Sequence, residues 1–134
     1  MEFGTSLAIS ASGLSAQSSR LRVIAENLAN ADSTGASPGS NPYQRQTITF
    51  QDEYNQSLNT NLVEVSRIGT DQSSFPTKYD PSNPAADAQG YVKLPNVNSF
   101  VELMDMQQAE RSYDANLSVM NATRGMLTCT LDLI

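Results

Sequence analysis

The sequence predicts a mainly α-helical protein in which long N- and C-terminal helices pair as a coiled coil, with a small β-hairpin and an extended region between them. Apolar residues recur at a seven-residue period near both ends of the 134-residue chain, the spacing of helices that pack along one another. Turn-forming residues and prolines fill the middle. The ends also differ in charge, with two arginines against one glutamate in residues 7–31 and five acidic residues against two arginines in residues 99–134.

The first segment, residues 1–31, is predicted to form the N-terminal helix of the coiled-coil core. Four of its leucines fall seven residues apart, and an isoleucine occupies the intermediate step late in the run. The apolar set is Leu7, Leu14, Leu21, Ile24 and Leu28. Ser10 and Gln17 interrupt the intermediate step, so the heptad pattern is weaker here than at the other end.

The beginning of this segment is rich in serine and alanine. Small side chains let helices approach closely, but serine and glycine are weak helix formers. We therefore expect the segment to become helical when it packs on assembly; a helix docked permanently in a monomeric hairpin is the alternative. Residues 1–6 carry no weight in this prediction, because Glu2 to Thr5 resembles vector-derived sequence.

The last segment, residues 97–134, is predicted to form the C-terminal helix, with Asn98 or Ser99 as its cap. Read as heptads, it carries one seam, here called the C-terminal seam: Leu103, Met106, Glu110, Tyr113, Leu117, Met120, Arg124, Leu127, Leu131 and Ile134. Eight of these ten positions are apolar or aromatic. A helix over residues 99–134 would be about 54 Å long, longer than a compact domain of this size needs, so the seam must pack against another helix.

Two charged residues lie on this otherwise apolar seam. Glu110 and Arg124 are half exposed if the stripe drifts around a straight helix. Alternatively, they specify register or partner through charge pairs between helices. Substituting each by leucine separates the two interpretations, because only the second predicts a change of assembly partner.

The middle of the chain, residues 32–96, is predicted to contain loops, short strands and a proline-rich extended strap. Residues 32–42 have turn and loop composition. Tyr43 to Phe50 and Leu62 to Ile68 alternate in the manner of short strands and suffice for a small hairpin. Prolines punctuate residues 75–95, where Gly90 to Leu94 forms a short strand or extended run.

Composition limits the classes of partner. The formal net charge of −6 argues against nucleic acid and anionic membranes, because both require a basic surface. No apolar run approaches the length of a membrane span. Met1 to Ala11 has no basic region followed by a sustained apolar region, so a secretory signal peptide is not expected. The low aromatic content of 7%, without tryptophan, indicates that part of the apolar stripe is meant for other molecules.

We predict no enzymatic activity, no cofactor and no metal site. The chain has no histidine and a single cysteine, Cys129, for which a plain packed or surface thiol is expected. The carboxylates show no pairing typical of hydrolases; Glu102 and Asp105 in particular are expected at a solvated helix edge. Serine has no histidine to activate it as a nucleophile.

Three stretches resemble a known family. Glu26 to Thr34, which contains Asn27-Leu28-Ala29-Asn30, resembles the signature that closes the N-terminal helix of bacterial flagellar axial proteins. Pro81 to Val97 and Arg111 to Asn116 are similar to the pattern of the proximal rod members of that family. The resemblance covers nearly the whole chain after Leu7. It departs at Met1 to Ser6 and at Cys129, where the family pattern has a basic or polar residue.

The resemblance implies a structural subunit of the proximal rod, assembled helically into the drive shaft that transmits torque and encloses the export channel. Implied partners are other copies of the chain, other rod proteins, the adaptor proteins between the rod base and the MS ring, and the export apparatus. The implied location is the periplasmic rod of the basal body, reached through the flagellar type III system without a cleaved signal peptide. Nucleic-acid binding and membrane insertion are not implied.

The same resemblance implies roles for particular residues. The leucines of both terminal helices would pack subunits together, and the residues of the family motifs would hold the joints between helices and strap: Asn27, Asn30, Pro84, Gly90, Tyr91, Pro95 and Asn96. Two other classes of protein stay open from the residues alone. One is a soluble α-helical adaptor or export chaperone acting as a discrete dimer, and the other is a small cell-wall hydrolase.

Overall fold

The computed structural model describes residues 3–133 and contains two long helices and two small sheets. In chain order the elements are α1 (Phe3–Ala29), β1 (Gln46–Asn55), β2 (Thr60–Thr70), β3 (Thr77–Tyr79), β4 (Tyr91–Lys93) and α2 (Ser99–Asp132). The prediction of a mainly helical chain with a small β region is confirmed. Ile134, the last position of the C-terminal seam, lies outside the described residues.

The chain forms two compact units, each built from pieces of both helices and of the middle region. The first unit contains the residues up to 22, residues 48–67 and the residues from 106 onward. The second unit contains residues 23–47 and 68–105. Each compact unit therefore combines segments that are distant from one another in the sequence.

Helix α1 begins at Phe3, four residues before the first heptad leucine, and ends at Ala29. The motif residue Asn30 terminates it. The Asn30 backbone nitrogen donates to the carbonyl oxygen of Glu26 at 3.2 Å, and its side-chain Nδ2 donates to the same oxygen at 2.8 Å. Satisfying the free carbonyl groups at a helix end is the ordinary requirement for stopping a helix.

Strands β1 and β2 pair in one sheet, and because only residues 56–59 connect them they form an antiparallel hairpin. Asn59 adopts a φ of 49°, a left-handed conformation that asparagine tolerates better than most residues. The hairpin is longer than predicted, since β1 extends to Asn55 and β2 begins at Thr60.

The proline-rich strap contains a second, shorter hairpin. Strands β3 and β4 are antiparallel, with Tyr79 opposite Tyr91, and the two rings meet edge to face with centroids 5.3 Å apart. Gly90 precedes β4 with a φ of +86°, and a Cβ there would lie 2.9 Å from the Tyr79 ring. Glycine is therefore required at this turn by both backbone conformation and space.

The side chain of Asp87 organises the turn before β4. Its Oδ1 accepts hydrogen bonds from the backbone nitrogens of Tyr91 at 2.9 Å and Gln89 at 2.8 Å. These bonds hold the pKa of Asp87 below its ordinary value, and the bond from Tyr91 has the largest effect. The strap is thus a hydrogen-bonded structure and not only a path fixed by proline.

Helix α2 begins at Ser99 with Asn98 as its cap, one of the two predicted cap residues. The Asn98 Oδ1 accepts from the backbone nitrogens of Phe100 at 3.1 Å and Val101 at 3.3 Å, which satisfies donors that have no partner inside the helix. The helix continues to Asp132. Of the helices described, neither has the combination of length and apolar content needed to cross a membrane.

Candidate functional site

In the first unit, α1 and α2 pack through small and polar side chains. The hydroxyl groups of Ser6 and Thr123 lie 3.3 Å apart. Gly13 lies against Asn116, and a Cβ added to Gly13 would be 2.8 Å from the Asn116 Nδ2. One heptad separates these contacts on each helix, ascending in α1 and descending in α2, so the two segments are antiparallel. Ala109 is fully buried.

The buried row of α2 in this unit is shifted by one residue from the predicted seam. Ala109 and Thr123 are buried, whereas their neighbours on the seam, Glu110 and Arg124, are exposed. The alternate seam positions are half-buried: Met106, Tyr113, Met120 and Leu127. Only one side of the predicted seam is therefore covered within the chain.

The other side of the seam leaves leucines in solvent. Leu117 is 39% exposed and Leu131 is 61% exposed. A second apolar row, again with a seven-residue step, is also exposed and consists of Val119, Met126 and Leu133. Exposed apolar side chains that recur at this step along a helix are candidates for contacts with other molecules. Within the first unit, α2 thus carries two uncovered apolar rows.

The predicted packing residues of α1 are more covered. Leu7, Leu14 and Leu21 are half-buried in the first unit. Ser10, which was expected to interrupt the heptad step, is buried, and the Oε1 of Gln17 is buried without a hydrogen-bond partner among the described residues. Ser10 and Gln17 thus lie on the side of α1 that packs against the rest of the unit.

In the second unit, the structure places Asn27 at the centre of a polar cluster. Asn27 is completely buried. Its Oδ1 accepts from the Tyr43 hydroxyl at 2.9 Å and from the Gln46 backbone nitrogen at 2.8 Å. Its Nδ2 donates to the Gln46 carbonyl oxygen at 2.9 Å and to the Glu102 Oε2 at 3.2 Å. All four hydrogen-bonding positions of the amide are therefore used.

Glu102 joins this cluster to an arginine, and its predicted place at a solvated helix edge is wrong. The side chain is only 1% exposed, and its Oε1 lies 2.5 Å from the Arg45 Nε. A buried carboxylate is tolerated because an opposite charge and a further hydrogen bond offset its loss of hydration. Asp105, one helical turn on, is about one-third exposed and lies 3.9 Å from the same guanidinium.

Asn96 ties the strap to this region. Its Oδ1 accepts from the Arg45 backbone nitrogen at 2.7 Å, and its Nδ2 donates to the Asp71 carbonyl oxygen and the Ser73 hydroxyl, both at 3.0 Å. The Asp71 nitrogen in turn donates to the Arg45 carbonyl oxygen at 2.8 Å. Pro95, which precedes Asn96, is buried. We call Asn27, Tyr43, Arg45, Asn96 and Glu102 the joint cluster.

Two ionisable groups in this region have altered pKa values. Burial, together with the charges of Glu26 and Glu102, raises the pKa of Tyr43, so the hydroxyl that donates to Asn27 stays protonated. The pKa of Asp71 is lowered, chiefly by hydrogen bonds from Ser73 and also by the charge of Arg45. Both shifts favour the protonation states that the hydrogen bonds require.

The remaining predicted site residues lie in several places. In the second unit, Ile24 is buried, Leu28 is half-buried and Leu103 is half exposed. Pro84 is exposed in the segment between β3 and β4, which also contains the buried Gly90. Cys129 is an exposed thiol on α2.

Sequence reasoning missed Tyr43 and Arg45 as members of the joint cluster. The available signal was weak: Arg45 is the only charged residue between Asp32 and Asp52, so no nearby residue could neutralise it. Over residues 3–133, His, Cys, Asp and Glu side chains form no group of three able to hold a metal ion.

The amino-acid sequence matches the models of two known protein families. The N-terminal part, residues 7–36, matches the model described as flagella basal body rod protein. Residues 88–133 match the model described as flagellar basal body rod FlgEFG protein C-terminal. The two matches cover the parts of the sequence that contain most of both long helices.

Whole-chain relatives agree with these matches. The chain is 50% identical to the flagellar basal-body rod protein FlgC of Agrobacterium fabrum over 94% of this chain and 91% of the relative. It is 40% identical to FlgC of Bacillus subtilis over 96% and 95%, and 42% identical to FlgC of Salmonella typhimurium over 93% and 92%. The chain belongs to the FlgC family of flagellar basal-body rod proteins.

Proposed function

We propose that this structural rod subunit of the flagellar basal body assembles helically, with copies of itself and with other rod proteins, into the proximal part of a hollow drive shaft. The shaft transmits torque and encloses the export channel. Head-to-tail contacts that do not close on themselves build such a helix, whereas closed contacts build rings or dimers. The observation that carries the proposal is the pair of exposed apolar rows on α2.

These rows give neighbouring subunits a surface on which to pack. Leu117 and Leu131 form one row, and Val119 and Met126 lie on another side of the same helix. Helices that are apolar on several sides are stable only when several neighbours surround them. Burying a leucine or methionine side chain contributes about 1.5–3 kcal/mol, so a few such contacts per subunit provide substantial assembly energy.

The two terminal helices form a coiled pair in the wall of this shaft. Support comes from the contacts of Ser6 with Thr123 and of Gly13 with Asn116, which repeat after one heptad on both helices. Glycine, serine and alanine at the contact allow a short distance between the helix axes. They also bury little apolar area, so the pair gains further stability when neighbours cover its outer rows.

The joint cluster keeps the helix ends and the strap in a fixed arrangement under load. Asn27, Arg45 and Glu102 are connected by hydrogen bonds with defined directions, and directional contacts resist sliding better than apolar ones do. Asn96 extends the connection to the backbone around Asp71 and Ser73. A shaft that transmits torque requires subunits that do not deform at such joints.

The proposed location is the periplasmic rod, reached through the flagellar type III export apparatus without a cleaved signal peptide. Export through a narrow channel requires an unfolded chain, and the small contacts between α1 and α2 present a modest barrier to unfolding. The N-terminal helix then becomes fully stable on assembly. Further proposed partners are the adaptor proteins between the rod base and the MS ring.

The chain acts in this role as a structural protein and not as an enzyme. Within residues 3–133, Glu102 is the one deeply buried carboxylate, and its ion pair with Arg45 makes it unavailable as a general acid or base. An adaptor or export chaperone would have to cover its apolar rows in a discrete dimer. A cell-wall hydrolase would lose activity on substitution of a single carboxylate.

The proposal is tested by replacing the resident FlgC of Agrobacterium fabrum with variants of this chain. Leu117→Ser combined with Leu131→Ser should leave the chain exported but abolish rod assembly and swimming, because both exposed leucines lose their contacts. The matched control is Gln107→Ser combined with Asp132→Ser, two exposed polar positions of α2 away from both rows. Normal rods built from the leucine variant would contradict the proposal.

A further inference from the structure

One exposed row of α2 has a charge pattern that is complementary to the same row running in the opposite direction. Leu117 lies at its centre, with Glu110 seven residues before and Arg124 seven residues after. All three are exposed. In the part of the chain that the structure describes, the Glu110 and Arg124 side chains take part in no ion pair. Reversing the direction of the row exchanges the acidic and the basic position and leaves leucine in the middle.

We propose that this row is a self-docking surface, on which a second copy of the chain packs its own α2 antiparallel about a two-fold axis at Leu117. Each heptad step along a helix is about 10.5 Å, so the two charges lie at equal distances from the centre. In the pair, Glu110 of each copy faces Arg124 of the other, and the two Leu117 side chains meet.

The charges select both the occupant and its direction. A parallel copy in the same register would place Glu110 beside Glu110 and Arg124 beside Arg124, and like charges disfavour such a contact. The antiparallel copy satisfies both charges at once.

The dimer is weak and belongs to the unassembled chain. A contact along one row of one helix is smaller than the interfaces of about 1,200–2,000 Å² that hold stable complexes. A two-fold contact uses the same patch on both copies, whereas a head-to-tail contact uses two different patches. If the rod is built as proposed above, the dimer must dissociate before a subunit enters it; its existence in solution does not depend on that function.

The test measures the mass of the free full-length chain by sedimentation equilibrium over a range of concentrations. The unsubstituted chain should show a concentration-dependent dimer. Glu110→Arg should weaken it about tenfold or more, because two attractive pairs become repulsive, and Arg124→Glu should do the same. The double variant, with both charges reversed, should dimerise as the unsubstituted chain does.

Mixing the two single variants provides the decisive control. Glu110→Arg carries two basic positions and Arg124→Glu carries two acidic ones, so an equimolar mixture should form heterodimers more tightly than either variant alone forms homodimers. Misfolding of either variant would not produce this rescue. A monomer at all concentrations, an unchanged dimer in the single variants, or no rescue in the mixture would each overturn the proposal.

The position of the axis is tested by cross-linking in a Cys129→Ser background. Leu117→Cys should form an intermolecular disulfide on mild oxidation, because that residue meets its own copy. Leu131→Cys is also exposed but lies far from its own copy in the proposed pair, so it should cross-link much more slowly. Equal cross-linking at both positions would contradict the two-fold axis.

Discussion

The two compact units use α1 and α2 in different ways. In the second unit, Asn27 and Glu102 are buried, and every polar atom of their side chains has a hydrogen-bond partner. In the first unit, the helices touch through Gly13 and other small residues, while Leu117 stays exposed. The chain thus satisfies the polar groups of the joint cluster but leaves apolar side chains of α2 uncovered. Polar contacts have defined directions and specify one arrangement, whereas the missing burial is available to partner subunits.

The largest expected effect comes from removing the side-chain amide of Asn27, which lies at the centre of the polar contacts in the second unit. Asn27→Ala should lower the free energy of unfolding by about 3 kcal/mol, since several buried groups lose their partners. Urea unfolding followed by tyrosine fluorescence measures the change. Asn30→Ala is the matched control, because the Asn30 side chain bonds only near the end of α1; its cost should be about 1 kcal/mol or less. Equal losses would contradict the special role of Asn27.

The next effect concerns the ion pair in the same unit. Glu102→Gln should cost about 2–3 kcal/mol, because Arg45 loses its short charge-assisted bond while remaining largely covered. Asp105→Asn removes a charge that lies 3.9 Å from the same guanidinium and is about one-third exposed. Its effect should stay below about 1 kcal/mol. Similar costs for the two variants in chemical denaturation would show that burial does not distinguish these carboxylates.

A smaller effect sharpens the description of the first unit. Gly125→Ala should stabilise α2 by up to about 1 kcal/mol, since no atom lies within 4 Å of the added Cβ. Gly13→Ala should lose that gain, because its Cβ would lie 2.8 Å from the Asn116 amide nitrogen. Adding Asn116→Ala should restore it. Thermal unfolding measures all three, and an equal gain at both glycines would contradict close packing at Gly13.

The smallest effect is a pH dependence at Asp71. The hydrogen bonds from Ser73 lower its pKa in the folded chain, so it contributes stability above its unfolded value of about 3.9 and loses this contribution as the pH falls through the folded pKa. Asp71→Asn should therefore reduce the loss of stability below about pH 4. Unfolding free energies at a series of pH values measure it; parallel profiles for both chains would contradict the assignment.

Much of the helical structure could be predicted from the sequence because its signals are local. The heptad leucines and the cap residue Asn98 lie within a few residues of the structure that they specify, and the two long helices are present. The predicted first strand stops at Phe50, short of the hairpin turn. Residues 51–57 are mostly polar, and such residues are uncommon in strands. Pairing between strands overrides that preference.

The joint cluster could not be predicted because its contacts are distant in sequence. Glu102 meets Arg45 across 57 positions, and a carboxylate in the first turn of a helix ordinarily faces water. The phase of the helix contact was missed for a related reason. Ala109 and Thr123 are too small or polar to resemble a core, but their size is what allows α1 to approach. The seam residues that follow them, Glu110 and Arg124, are left exposed.

The central claim is that apolar rows exposed on the single chain become buried in the rod, and the reactivity of a cysteine at Leu117 tests it most directly. In a Cys129→Ser background, Leu117→Cys is treated with a maleimide in the dilute free chain and in purified basal bodies, with the denatured chain as reference. The account predicts rapid labelling of the free chain and strong protection in the basal bodies. Labelling at the same rate in both would contradict it.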